Sequence, residues 1–223
     1  MQTPKVTFPF VLVNFKTYPG GTGEKALQLA KIIESVSLES GVCMIPAVQL
    51  SDLRMVCEAV SVPVFAQHVD GVEYGSNTGH VLAEAVAEAG AAGTLINHSE
   101  HRVGDQVAAC VAAANRVGLT TVVCAQDSDE AQTLGELDVD YIAVEPPELI
   151  GGDISVSTAN PDLISDSVAK VGEGRVVVGA GVKTGEDVKI AKELGSVGIL
   201  VASGVCKVDN PEEVLMDFAS NFR

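Results

Sequence analysis

The chain has 223 residues, of which 47% are hydrophobic and 4% aromatic, with no Trp and a formal net charge of −16 at pH 7. That length suits one large domain. The acidic balance excludes nucleic acid and anionic membranes as partners, and no apolar run reaches the length of a membrane span. The N-terminus lacks a basic region followed by a long apolar stretch, so no secretory signal is expected and a cytoplasmic location is. Five cysteines (Cys43, Cys57, Cys110, Cys124, Cys206) are widely spaced without a C-x-x-C pair, and each lies in an apolar context, as buried thiols do.

Along the chain, short apolar runs alternate with amphipathic stretches. Strands are expected at 10–13, 42–45, 62–66, 93–96, 120–124, 139–144, 176–178 and 197–202. Helices are expected at 22–38, 49–60, 78–89, 104–117, 127–136, 157–171, 184–194 and 210–221. In the first helix Ala26, Leu29, Ala30 and Ile33 recur at i, i+3, i+4 and i+7, one helical face. Asp127, Ser128 and Asn210-Pro211 are start signals, while Gly41, Gly90, Gly118 and Gly195 close helical patterns.

Eight such units, apolar strands poor in alternation and short connections predict a single (β/α)8 barrel domain spanning 1–223. One motif argues for an open dinucleotide-binding sheet instead. Gly21-Thr22-Gly23-Glu24-Lys25-Ala26 fits G-x-G-x-x-A between the first strand and first helix. A true fingerprint follows its strand directly and is answered by an acid after the second strand. Here Lys16 and Pro19 intervene and the second strand runs through Pro46 into Ala47, so the glycines read as a turn.

The polar residues cluster just past the apolar runs. Asn14 and Lys16 follow the first, Gln67 the third, His98 and Glu100 the fourth, and Glu145 the sixth. Gly179-Ala180-Gly181 and Ala202-Ser203-Gly204 follow the last two. In parallel strands these positions converge on one rim, where barrel enzymes place their sites. A carboxylate at a strand's mouth loses solvation and gains basicity, which suits Glu145 to proton abstraction. His98, if it opens a short helix, is kept neutral by the helix dipole and can donate to a carbonyl oxygen. His98 and His101 could share a metal, but His68 and His80 complete no ligand pattern, and none is expected. Asn14 and Lys16, two apart on an extended segment, would point the same way. Lys16 would then meet a phosphate or a developing oxyanion. Glycines at the last two turns let backbone N–H groups approach an anion.

Together these pieces resemble the triosephosphate isomerase family, in its compact archaeal-type branch. The matching residues are Asn14-Phe15-Lys16, Thr78-Gly79, His98-Ser99-Glu100, Ala143-Val144-Glu145-Pro146, Ile150-Gly151 and the two glycine turns, in family order across the whole chain. The glutamate base with a neutral histidine is the family's recognised pairing and comes with the resemblance.

The resemblance implies a TIM barrel that interconverts dihydroxyacetone phosphate and D-glyceraldehyde 3-phosphate, in glycolysis and gluconeogenesis, without a cofactor. Glu145 would move the proton, His98 polarise the carbonyl and relay protons between the enediolate oxygens, Lys16 neutralise charge, Asn14 position the substrate oxygens and Glu100 hold Lys16 or the adjacent network. Residues 146–152 would form a lid, and Ile150, Gly151, Gly181, Ala202 and Ser203 would grip the phosphate with Asn14 and Lys16. The turn after the seventh strand departs from the commoner family pattern in having no serine, and His80 and His101 stand where an acidic and a basic partner are usual. The loop 67–79, carrying Thr78, would reach a neighbour's site and make a homo-oligomer, a dimer or, in this branch, a homotetramer. Two other readings stay open: another phosphate-binding barrel isomerase, and a non-catalytic phospho-metabolite sensor.

Overall fold

The computed structural model describes residues 4–146, 149 and 156–222. Eight parallel strands close a barrel in chain order: β1 Phe10–Asn14, β2 Cys43–Val48, β3 Phe65–Ala66, β4 Gly93–Ile96, β5 Thr120–Ala125, β6 Tyr141–Val144, β7 Val176–Val178 and β8 Gly198–Val201. Around them lie α1 Glu24–Ser40, α2 Leu50–Ala59, α3 Ala83–Glu88, α4 Val107–Arg116, α5 Ser128–Gly135, α6 Val156–Ala159, α7 Pro161–Val171, α8 Gly185–Glu193, α9 Ser203–Cys206 and α10 Pro211–Phe222. Among the described residues no helix is long and apolar enough to cross a membrane.

The pleat divides each strand between two cores. Phe10, Leu12, Ile45, Phe65, Leu95, Val122, Val177 and Leu200 fill the barrel interior. Their strand neighbours, such as Val11, Val13, Met44, Ile96 and Val178, pack outward against the helices. At roughly 25 cal/mol per Å² of apolar surface removed from water, these two layers are the main stabilising term. Glycines make room for the aromatic plug at the barrel's floor. A Cβ at Gly93 would stand 2.4 Å from the Phe65 ring, and one at Gly198 2.9 Å from the Phe10 ring. The floor is therefore closed, and polar groups are left to the opposite end.

Several expected boundaries shift for local reasons. β2 continues through Pro46, which pairs with Val13, because proline's fixed φ suits extended backbone. β3 shrinks to two residues, since Pro63 cannot donate to a ladder. The helix expected over 78–89 begins only at Ala83. Asp70 competes for the segment before it: its carboxylate accepts the Val81 N–H at 2.6 Å, and its own N–H donates to the Val81 carbonyl. The helix expected over 157–171 breaks at Asn160, whose side chain caps α7 by accepting the Leu163 N–H, with Pro161 in the first turn.

Candidate active site

At the C-terminal end of β1, Asn14 is buried as the strand's last residue. Its Oδ1 accepts the Lys16 N–H at 3.0 Å, and the chain turns through a left-handed conformation at Lys16, φ 46°. Gln67 fastens the turn, its Nε2 donating to the carbonyls of Lys16 at 3.0 Å and Ala47 at 3.3 Å. The extended spacing expected of Asn14 and Lys16 is thus not what aims the lysine; a strained turn is, held by two side-chain amides. Lys16 Nζ reaches Glu100 Oε1 at 2.7 Å, as the sequence suggested.

After β4, Asn97 also adopts a positive φ, 62°. Its side chain explains why it can: Nδ2 donates to the Cys124 carbonyl at 3.0 Å, and Oδ1 accepts the Val103 N–H at 3.2 Å. His98 follows, buried. No helix starts there. Residues 99–101 form a turn closed by His101 N–H donating to the His98 carbonyl at 2.7 Å. The expected helix dipole is therefore absent, yet the imidazole is still kept neutral. Burial, aided by the nearby Lys16 charge, lowers His98 to about 4, against a weaker opposing effect of Glu100. The Glu100 N–H donates to His98 Nδ1 at 3.1 Å, which leaves the proton on Nε2. His101 stacks on His68, ring centroids 4.3 Å apart.

Glu145 follows β6, anchored by its N–H to the Ala125 carbonyl at 2.8 Å, and is 4% exposed. Its Oε1 lies 3.5 Å from His98 Nε2, and its Oε2 has no hydrogen-bond partner among the described residues. Burial raises this carboxyl to about 7, while the Cys124 thiol and Lys16 pull the other way. Gly179, at the end of β7, is what lets the side chain fit: a Cβ there would stand 2.4 Å from Glu145 Cγ.

Asn14, Lys16, His98 and Glu145 line one pocket with Gly181, Ala202 and Ser203, all named from the sequence. Gly181 has φ 69° and Ser203 opens the short α9. Ile150 and Gly151, and with them most of the expected lid, lie outside the described residues. The sequence reading missed Tyr18 and Lys183, which also line the pocket, and it placed Gly204, another lining residue, on the rim. It missed Asn97 and Gln67 as props as well. A cation two residues past Gly181 was the one available signal for Lys183.

The arrangement sets a buried carboxylate of raised basicity, a neutral N–H donor and an ammonium around one small opening, with pliant glycine turns across from them. That combination suits proton transfer beside a carbonyl in an anionic substrate. The family model for triosephosphate isomerase matches residues 9–220. The triosephosphate isomerase of Methanocaldococcus jannaschii is 46% identical over 212 residues, covering 93% of this chain and 97% of that protein. That of Methanosarcina acetivorans is 46% identical over 214 residues, covering 94% and 96%. A crystal structure of triosephosphate isomerase from Bartonella henselae superposes with a TM-score of 0.72 at 19% identity, covering 96% of this chain and 97% of that one, a likeness of fold. With the identity spread over nearly the full length of both archaeal relatives, the chain belongs to the triosephosphate isomerase family.

Proposed function

We propose that the buried Glu145–His98 pair is the proton-transfer centre for interconverting dihydroxyacetone phosphate and D-glyceraldehyde 3-phosphate. The Glu145 carboxylate takes a proton from the carbon beside the carbonyl, and the C–H electrons form the enediolate. His98 Nε2–H donates to the oxygen that gains charge, Lys16 neutralises that charge and Asn14 orients the substrate oxygens. His98 relays the hydroxyl proton from one enediolate oxygen to the other while the Glu145 carboxylic acid returns its proton to the neighbouring carbon, so the base and the carbon acid are one group. Glu100 acts through Lys16, which it holds at 2.7 Å. Gly181, Ala202 and Ser203, with Ile150 and Gly151, take the phosphate.

One observation carries this reading. Only 4% of Glu145 is exposed, and its Oε1 lies 3.5 Å from His98 Nε2 in the same opening as Lys16. A carboxylate so desolvated, and facing only a neutral imidazole at 3.5 Å among the described residues, is costly to the fold, and proton transfer explains it. Purified protein mixed with glyceraldehyde 3-phosphate should form dihydroxyacetone phosphate without added metal or nucleotide. No product from a folded, monodisperse sample would end the proposal.

The whole chain acts as one barrel domain in the cytoplasm, where its substrates are made and consumed. It works as a homo-oligomer in which loop 67–79 carries Thr78 into a neighbour's cleft. Tyr74 in that loop is 77% exposed, and Leu50, 45% exposed, borders a cleft beside Lys16 and Glu100. Two exposed apolar side chains so placed support association.

A further inference from the structure

Lys16 is aimed by a turn that ends on Tyr18. The Tyr18 N–H closes that turn on the Phe15 carbonyl at 3.3 Å, with Lys16 and Thr17 inside it. The Tyr18 carbonyl then takes the Gly21 N–H at 2.9 Å and the Thr22 hydroxyl at 3.0 Å. The φ of 46° at Lys16 is left-handed, so the turn persists only where its surroundings hold it. α9 supplies some of that hold. A Cβ on Gly20 would stand 2.9 Å from the Cys206 carbonyl, and the Cys206 thiol donates to the Asn14 carbonyl at 3.6 Å. One residue further on, the exposed Lys207 places its Nζ 4.2 Å from the centroid of the Tyr18 ring. The backbone beneath it is fixed, since the N–H groups of Cys206 and Lys207 donate to the carbonyls of Ala202 at 2.9 Å and Ser203 at 3.2 Å.

We propose that Lys207 is a positioning residue for the isomerisation: its ammonium, seated over the Tyr18 ring, holds the turn that aims Lys16. Lys207 does not line the pocket and acts through Tyr18, which does. The negative face of an aromatic ring attracts a cation, and at an exposed site such a contact is worth about threefold in a local equilibrium. That is enough to matter here, because the turn it steadies is strained and carries a catalytic charge. Lys16 serves the transition state most, where negative charge grows on the substrate oxygen, so a loosened turn costs turnover rather than binding.

This inference rests on the reading that Lys16 serves isomerisation, and the two can fail separately. Lys207→Met removes the charge and keeps an apolar stem. It should lower kcat about threefold with KM within twofold, and amide exchange at the Tyr18 N–H should quicken about threefold. Lys207→Arg should restore both, because a guanidinium also stacks on an aromatic face. In a Tyr18→Leu background, Lys207→Met should have no further effect. Wild-type kcat or unchanged Tyr18 exchange in Lys207→Met would overturn the proposal, as would an arginine variant no better than methionine. A loss confined to KM, or one just as large without the Tyr18 ring, would mean that Lys207 only attracts the substrate, and would overturn it too. A wild type that isomerises nothing, with exchange responding as expected, would end the isomerase reading and leave the hold of Lys207 on the turn standing.

Discussion

His98 Nε2 and Glu145 Oε1 stand 3.5 Å apart, both side chains less than a tenth exposed. Burial drives the pair in opposite directions, the imidazole down to about 4 and the carboxyl up to about 7. Each group is thereby pushed toward its neutral form, which disfavours an ion pair between them. A substrate carbonyl and its adjacent C–H can then be served by a donor and a base that do not quench one another.

Glu145→Asp should fold normally and lose roughly 10²-fold in turnover. Removing one methylene withdraws the carboxylate by about 1 Å, and misplacement on that scale costs about that much. Among the described residues Glu145 is also the sole carboxylate lining the pocket, so none of them can take its place. A variant within threefold of the wild type would remove Glu145 from the role of base.

The pH profile should have one acid limb, and Glu145 should set it. As pH falls through about 7 the carboxylate protonates and kcat/KM drops. His98, at about 4, stays neutral across that range and contributes no limb above pH 5. Stability carries the opposite pair of signs. The folded pKa of His98 lies below its ordinary 6.5, so the unfolded chain binds more protons between 4 and 6.5, and that contribution is lost as pH falls through the window. For Glu145 the folded value lies above the ordinary 4.5, so its contribution is full below 4.5 and lost as pH rises through 7. A rate profile and a histidine NMR titration of the free enzyme test this together. An imidazole of His98 titrating near 6.5 would contradict it.

The barrel was legible because its eight strands are buried on both faces and so read as unbroken apolar runs, such as Val176-Val177-Val178. The site was legible because parallel strands carry their next residues to one rim, which placed Asn14, Lys16, His98 and Glu145 together. What escaped depends on competition among side chains distant in sequence. Gln67 and Asn14 impose a left-handed turn on Lys16, which no local preference announces. Asp70 holds Val81 and delays α3. The neutrality of His98 was read from a helix dipole, and burial supplies it instead.

Asn97→Ala should destabilise the fold by about 3 kcal/mol. A β-carbon residue without a polar side chain in the left-handed region costs about 1–2 kcal/mol, and the Cys124 carbonyl and Val103 N–H each lose a partner in a buried setting. For a chain of this length that corresponds to roughly 10 °C in Tm. Asn97→Gly should lose less, since glycine accepts the conformation freely. Calorimetry on both variants distinguishes them, and equal Tm values would show that the conformation at residue 97 is not strained.

Gly179→Ala should damage catalysis by displacing the base from behind. The added methyl carbon would stand 2.4 Å from Glu145 Cγ and 3.1 Å from both Cδ and Oε1. Gly179 cannot back away without breaking its N–H bond to the Val144 carbonyl at 3.0 Å, part of the ladder between β6 and β7. The glutamate side chain is the softer partner, so it should move by about 1 Å and turnover should fall on the order of 10²-fold. KM should change far less, because the phosphate contacts lie beyond the reach of the new methyl. Gly135→Ala is the matched control: the atoms nearest its Cβ would be those of the Val171 side chain, at 3.4 Å or more, and it lies outside the pocket. Steady-state kinetics on both variants, with a crystal structure of Gly179→Ala, measure the effect and its cause. Full activity in Gly179→Ala with Glu145 visibly displaced would mean that the position of this carboxylate does not govern the rate.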